Sequence, residues 1–209
     1  MSPEIRLRRV IKPFVFTLCL MPLAWLVWRG LSGDLGANPI EVITRFLGDW
    51  AMRFLLVTLA VTPLRRMFGW SVLMRLRRML GLFAFTNAVL HLSSYVVLDQ
   101  FFYWPEIWAD IIKRNFITVG MIAFLMLLAL AVTSTNAMIR RLGGKRWQRL
   151  HRLVYPAAVA VVVHFYMMVK ADIREPLIYG AIAVVLLGYR AILGLKGRKW
   201  RNPAGTQAA

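Results

Sequence analysis

The sequence predicts an all-α fold, a polytopic bundle of six membrane-spanning helices, on three observations. Of the 209 residues, 59% are hydrophobic and the mean hydropathy is +0.61, whereas a soluble domain has about 45–50% apolar residues. Six apolar stretches approach the roughly 20 residues that a helix needs to cross a bilayer. The 27 Lys and Arg residues fall in short clusters between those stretches, as they do in membrane proteins. Read alone, the net charge of +18 would suit nucleic acid; the clustering points to a bilayer instead, and no nucleic-acid partner is expected.

The predicted helices cover about 11–28, 47–64, 79–98, 115–134, 153–169 and 177–195. The first follows a basic N-terminus, as the apolar core of a signal peptide would. It runs through MPLAWLVW with no small-residue cleavage site, too long and too aromatic, and is read as a retained helix. The second carries Arg53 within it; the third and fifth each carry a histidine; the sixth leads into the basic ending RKWRNPAGTQAA. Every connection is short, so 1–209 is read as one membrane domain with no soluble domain, Gly-rich nucleotide loop or low-complexity linker. The longest outer connection, VLDQFFYWPEIWADIIKRN, is rich in aromatics and reads as a belt in the headgroup region. The single cysteine, Cys19, has no intrachain disulfide partner, which excludes a thiol–disulfide relay; it reads as a small buried residue.

Orientation follows from the basic residues. The N-terminus (Arg6, Arg8, Arg9, Lys12), the second connection (Arg65, Arg66, Arg75, Arg77, Arg78), the fourth (Arg140, Arg141, Lys145, Arg146, Arg149, Arg152) and the C-terminal end (Arg190, Lys196, Arg198, Lys199, Arg201) hold most of them. The other connections hold only Arg29, Arg45, Lys113, Arg114, Lys170 and Arg174. The positive-inside rule therefore puts both termini in the cytoplasm. All acids but Glu4 fall on the outer side, which reads equally as a docking face for a soluble partner and as ordinary loop solvation.

The chain has three histidines, and all stand in or beside apolar segments. His91, in the third helix, and His164, in the fifth, lie at similar outer depth on helices that run in the same direction. Neutral imidazole is an axial ligand of haem iron, and a bundle interior is a usual place for a cofactor. One histidine in a spanning helix more often hydrogen-bonds across helices; two at matched depth, with a third at another, reverse that balance, because polar groups in a bilayer are costly and usually functional. Met167 and Met168 also offer soft ligands but read as packing. Ser93, Ser94 and Tyr95 stand beside His91, where they could supply hydrogen bonds that tune a haem, with helix packing the expected job of at least two of them.

His151 lies at the mouth of the fifth segment, about 20 Å from His164 along a straight helix. The two side chains would then point roughly 140° apart, unless Pro156 kinks the helix or His151 precedes it. The residue at matching depth on the third helix is Arg77, which offers donors only and makes a poor iron ligand. It suits a haem propionate, a quinone oxygen or a lipid phosphate. A haem between His91 and His164 is therefore expected, and an inner centre at His151 lacks an identified second ligand.

The segments RLRRMLGLFAFTNAVLHLSSY (75–95), LALAVTSTNAMIRRLGGKRWQRLHRLVY (128–155) and REPLIYG (174–180) resemble the MsrQ family, formerly called YedZ. So do GDLGANPIEVITRFLGDWA (33–51) and TPLRR (62–66). The family comprises haem-binding membrane subunits of bacterial periplasmic methionine sulfoxide reductase systems, within the ferric-reductase-like membrane domains. The resemblance implies an outer haem b on His91 and His164, with His151 as the inner histidine. Arg77 stands where a two-haem relative has a fourth histidine, so one or two haems are implied. It further implies flavin mononucleotide, electrons from the quinone pool or a cytoplasmic flavin reductase, and an inner-membrane location. The implied acceptor is MsrP, the molybdenum-dependent periplasmic subunit that repairs oxidised methionines.

The resulting expectation is a membrane electron-transfer subunit whose partner carries out the bond-breaking chemistry, with no catalytic residue of its own. A stand-alone ferric or quinone reductase is the alternative, against which stands the lack of an appended flavin and nicotinamide domain. A transporter using histidine proton relays is disfavoured by the scarcity of membrane acids and of broken helix pairs.

Overall fold

Asn38 and Pro39 show how the polar connections set the helix ends. The Asn38 side chain accepts from the Glu41 backbone N–H and donates back to Glu41 Oε2 at 2.9 Å, and Pro39 occupies the first helical position. The computed structural model, which describes residues 5, 7–70, 72–169 and 171–199, therefore begins its second long helix well before position 47. That helix ends at Gly69, whose left-handed φ of 70° lets its N–H close on the Arg65 carbonyl.

In chain order, a π turn, Leu7–Ile11, leads into α1, Lys12–Leu31. Next come α2, Pro39–Phe68, and α3, Val72–Ser94, which continues as a π turn over Tyr95–Asp99. A short helix, α4, Trp104–Lys113, precedes α5, Asn115–Val132. Two more short helices, α6, Asn136–Leu142, and α7, Gly144–Leu150, lead through a 3₁₀ turn, His151–Leu153, into α8, Val154–Met168. Last is α9, Arg174–Lys199. Among the described residues six helices are long and apolar enough to cross a membrane, over Arg9–Leu31, Pro39–Phe68, Val72–Asp99, Asn115–Val132, Gly144–Met168 and Arg174–Leu193. Glu4, Arg6, Lys170 and Arg201, which entered the charge pattern, lie outside the described residues.

The connections hold more regular structure than their polar composition suggests. The aromatic connection after α3 contains α4, a strongly amphipathic helix that buries Ile107 and Asp110 while Trp104, Trp108 and Ile112 stay exposed. The turn before it places Phe101 and Phe102 at φ of 45° and 60°, a conformation uncommon for bulky residues. Thr135 caps α6 through the Met138 N–H.

Packing forms two antiparallel pairs that face each other. α2 lies along α3, α5 lies along α8, and α3 meets α5 between them, while α9 leans on α8 and α2. Without a hydrophobic force between helices in lipid, association depends on close packing, which small residues permit. Ala84 and Ala88 on α3 and Ala157 and Ala158 on α8 are buried in the core beside Leu55 and Leu59 of α2. Large apolar side chains point outward on α1 (Phe14, Met21, Trp25) and α9 (Val184, Val185), as lipid-facing surfaces do. α1 packs lightly on α2 and α3.

Two arginines within the spans also find partners. Arg53 donates to the Tyr179 hydroxyl at 2.8 Å and lies over the Trp50 ring at 5.2 Å. Arg190 donates to the Leu59 carbonyl at 2.7 Å and to Thr62 Oγ1 at 3.0 Å, over the Tyr155 ring. Both arginines thus link α9 to the rest of the bundle.

Candidate functional site

Each helix pair presents one imidazole, and both are held in the same way. His91 on α3 reaches across to α2, where its Nδ1 lies 2.8 Å from the Thr44 carbonyl oxygen. His164 on α8 reaches across to α5, where its Nδ1 lies 2.6 Å from the Phe116 carbonyl oxygen. Four residues after each carbonyl comes a glycine. A Cβ on Gly48 would stand 3.1 Å from His91 Nδ1, and one on Gly120 only 2.7 Å from His164 Nδ1. The rings rest against bare backbone, which any side chain would displace.

The hydrogen bonds fix the tautomer. A carbonyl oxygen only accepts, so Nδ1 carries the proton in both rings and the lone pair lies on Nε2. This is the usual arrangement of a ligating histidine, oriented through its other ring nitrogen by a backbone carbonyl. The two ring centroids are 6.2 Å apart with planes at 79°. An imidazole nitrogen lies about 2 Å from a bound metal, which puts each ring centroid about 3 Å from it and a clamping pair about 6 Å apart. The observed separation matches.

Both imidazoles line one cavity of about 540 Å³ with predominantly apolar walls, including Leu55, Ala88, Phe124, Leu127 and Met168. That volume is within the range of small-molecule and cofactor sites. Among the described residues no group of three or more His, Cys, Asp or Glu could cage a bare ion. A haem brings its own equatorial donors and requires only axial ligands, so the residues present fit it. The cavity lies toward the ends of the helices that carry Asp99 and Arg114, away from the basic connections. Met168 lines it, whereas Met167 is exposed. Ser94 bonds Thr44 Oγ1 and the His91 carbonyl, and Tyr95 bonds Asp110. Neither hydrogen-bonds an imidazole: Ser94 ties α3 to α2, and Tyr95 ties it to α4.

His151 is built differently. It starts the 3₁₀ turn ahead of α8, so it precedes the regular helix and the straight-helix phase does not apply. Its ring stacks on Trp147 with centroids 4.0 Å apart, and its Nε2 is 3.2 Å from Thr133 Oγ1. Thr133 donates its own proton to the Ala129 carbonyl at 2.7 Å, so His151 Nε2 is the donor and Nδ1 holds the lone pair. Arg77 lies close enough to His151 and to Arg190 for their charges to interact.

Sequence reasoning missed the supporting backbone: Thr44 with Gly48, Phe116 with Gly120, and the Trp147–Thr133 contact. The available signal was a lone glycine inside each of two apolar helices, which marks a close backbone approach.

The model of the ferric reductase like transmembrane component matches residues 47–162. A relative from Rhodospirillum rubrum, named protein-methionine-sulfoxide reductase heme-binding subunit MsrQ, is 58% identical over 185 residues, 88% of this chain and 89% of its own length. Relatives with the same name from Caulobacter vibrioides and Herminiimonas arsenicoxydans are each 50% identical, over 90% and 94% of this chain and 90% and 92% of their own lengths. The chain belongs to the MsrQ family. Its six apolar helices and this membership make it a multi-pass membrane protein. The MsrQ-like motifs now have structural roles. In LHLSSY, His91 points into the cavity while Ser94 and Tyr95 fasten neighbouring elements. In LGxxWxxLHxLVY, Trp147 and His151 grip the TST turn, Trp147 donating to the Thr133 carbonyl at 2.9 Å.

Proposed function

We propose that this chain is the haem b electron-transfer subunit of a methionine sulfoxide reductase system in the bacterial inner membrane, with its termini in the cytoplasm. The observation that carries the reading is the pair of carbonyl-anchored imidazoles, 6.2 Å apart across one apolar cavity. His91 and His164 would be the axial ligands, through Nε2. Haem bound there supplies one-electron transfer within a low-dielectric interior. The protein's part is to hold both lone pairs toward the iron, exclude water with apolar walls, and place the site near the outer ends of the helices.

The electron donor in this reading is the quinone pool or a cytoplasmic flavin reductase, approaching the basic face. The acceptor is MsrP, the periplasmic molybdenum subunit, meeting the acid-rich outer connections. A second, inner centre is assigned to His151, through Nδ1, with Arg77 beside it as a donor to an anionic or quinone oxygen rather than as a ligand. Flavin mononucleotide rests on the family resemblance alone and is assigned no residues.

The test is reduced-minus-oxidised absorption of the purified protein in detergent, with His91→Ala and His164→Ala beside it. A b-type spectrum lost in both variants is expected. A wild-type protein that binds no haem would falsify the reading.

A further inference from the structure

The outer mouth of the cavity contains a charged network that the axial-ligand reading does not use. Asp110, on α4, has a side chain only 5% exposed, and a buried carboxylate demands partners. It has two: the Tyr95 hydroxyl donates to Oδ2 at 2.9 Å, and Arg114 Nε forms an ion pair with Oδ1 at 2.9 Å. Asp110 stands behind the cavity wall, whereas Tyr95 and Arg114 line it.

Arg114 is the junction residue between two helices. Its N–H bonds the Asp110 carbonyl at 2.9 Å, and its own carbonyl accepts from Ile117 at 2.8 Å. Thr118 Oγ1 also bonds the Ile111 carbonyl, fastening α4 to α5. The Arg114 backbone is therefore fixed on both sides, two residues from the Phe116 carbonyl that orients His164, and Asp110 holds its guanidinium at Nε. Asp110 occupies Nε, which leaves the two terminal nitrogens for another partner. A guanidinium fork matches a carboxylate in geometry and charge, and the N-terminus of α5 adds positive potential there.

The other charges at the mouth are Glu41, Arg45, Asp49 and Asp99. Arg45 is taken by Glu41 at 2.6 Å in an exposed pair, and Asp49 and Asp99 repel an anion. Resting on the haem reading above, we propose that Arg114, held by Asp110 and Tyr95, clamps one propionate carboxylate of the haem. Tyr95 and Asp110 are positioning residues; Arg114 makes the contact.

The test compares haemin with its dimethyl ester, in which both propionates are masked. Protein produced without haem supply is titrated in detergent with each, following the Soret absorbance. The wild type should bind haemin about ten- to a hundredfold more tightly than the ester, the size of a charge-assisted hydrogen bond. Arg114→Gln should abolish that preference and Arg114→Lys restore part of it, while Arg45→Gln should keep it. Asp110→Asn should weaken the preference, with no further loss when combined with Arg114→Gln. Ester and haemin binding the wild type equally, or Arg114→Gln retaining the full preference, would overturn the clamp while leaving the axial ligands intact. Failure of the wild type to bind either compound removes the haem reading itself, and the clamp with it.

Discussion

Substituting Gly120 by alanine tests the site through the backbone that supports it. In a helix interior this change ordinarily stabilises by up to about 1 kcal/mol. Here the new Cβ would stand 2.7 Å from Nδ1 and 2.8 Å from Cε1 of His164, closer than van der Waals contact allows. The imidazole must leave the Phe116 carbonyl, losing a hydrogen bond of about 0.5–1.5 kcal/mol, or the helices must part, at about 1–3 kcal/mol. Either way the Nε2 lone pair no longer points across the cavity as it did. Haem affinity should fall about ten- to a hundredfold, at 1.4 kcal/mol per factor of ten. Gly48→Ala, with its nearest atoms at 3.1 Å, should cost less, and Gly81→Ala, 3.7 Å from Thr58 Cγ2, should cost nothing. Haem titration of the three variants gives the order, and thermal unfolding without haem separates ligand loss from misfolding. Gly120→Ala binding haem with wild-type affinity and spectrum would refute the carbonyl-anchored arrangement.

His151→Ala should lower haem stoichiometry, or slow reduction from the cytoplasmic side, with the outer haem spectrum retained; unchanged stoichiometry and kinetics would reduce His151 to its contacts with Thr133 and Trp147. Arg190→Met removes the donors to the Leu59 carbonyl and Thr62. It should lower unfolding stability by about 1–3 kcal/mol, measured by denaturant or thermal unfolding in detergent, and an unchanged midpoint would refute that role for the link.

Much of the fold was legible because spanning length and hydropathy are local properties of the chain. The exceptions have local causes too. α2 starts early because Asn38, Pro39 and Glu41 form a helix start within a polar stretch that a hydropathy reading passes over. α4 was hidden because it lies in a loop rich in aromatics and its length is far below a span. The similar depth of His91 and His164 could be inferred from segment boundaries alone. The difference between them and His151 could not, since it lies in which ring nitrogen each neighbour engages.

The sequence by itself determined that this is a six-span membrane bundle, and it singled out the three histidines. Composition, hydropathy and the length of the apolar runs suffice for that. Tertiary structure alone decided which groups hold the imidazoles, because the carbonyls that orient His91 and His164 lie 47 and 48 residues away along the chain. No local pattern encodes a contact across such a separation. It arises only when α2 packs on α3 and α5 on α8, and when Gly48 and Gly120 leave the rings room to lie against the backbone.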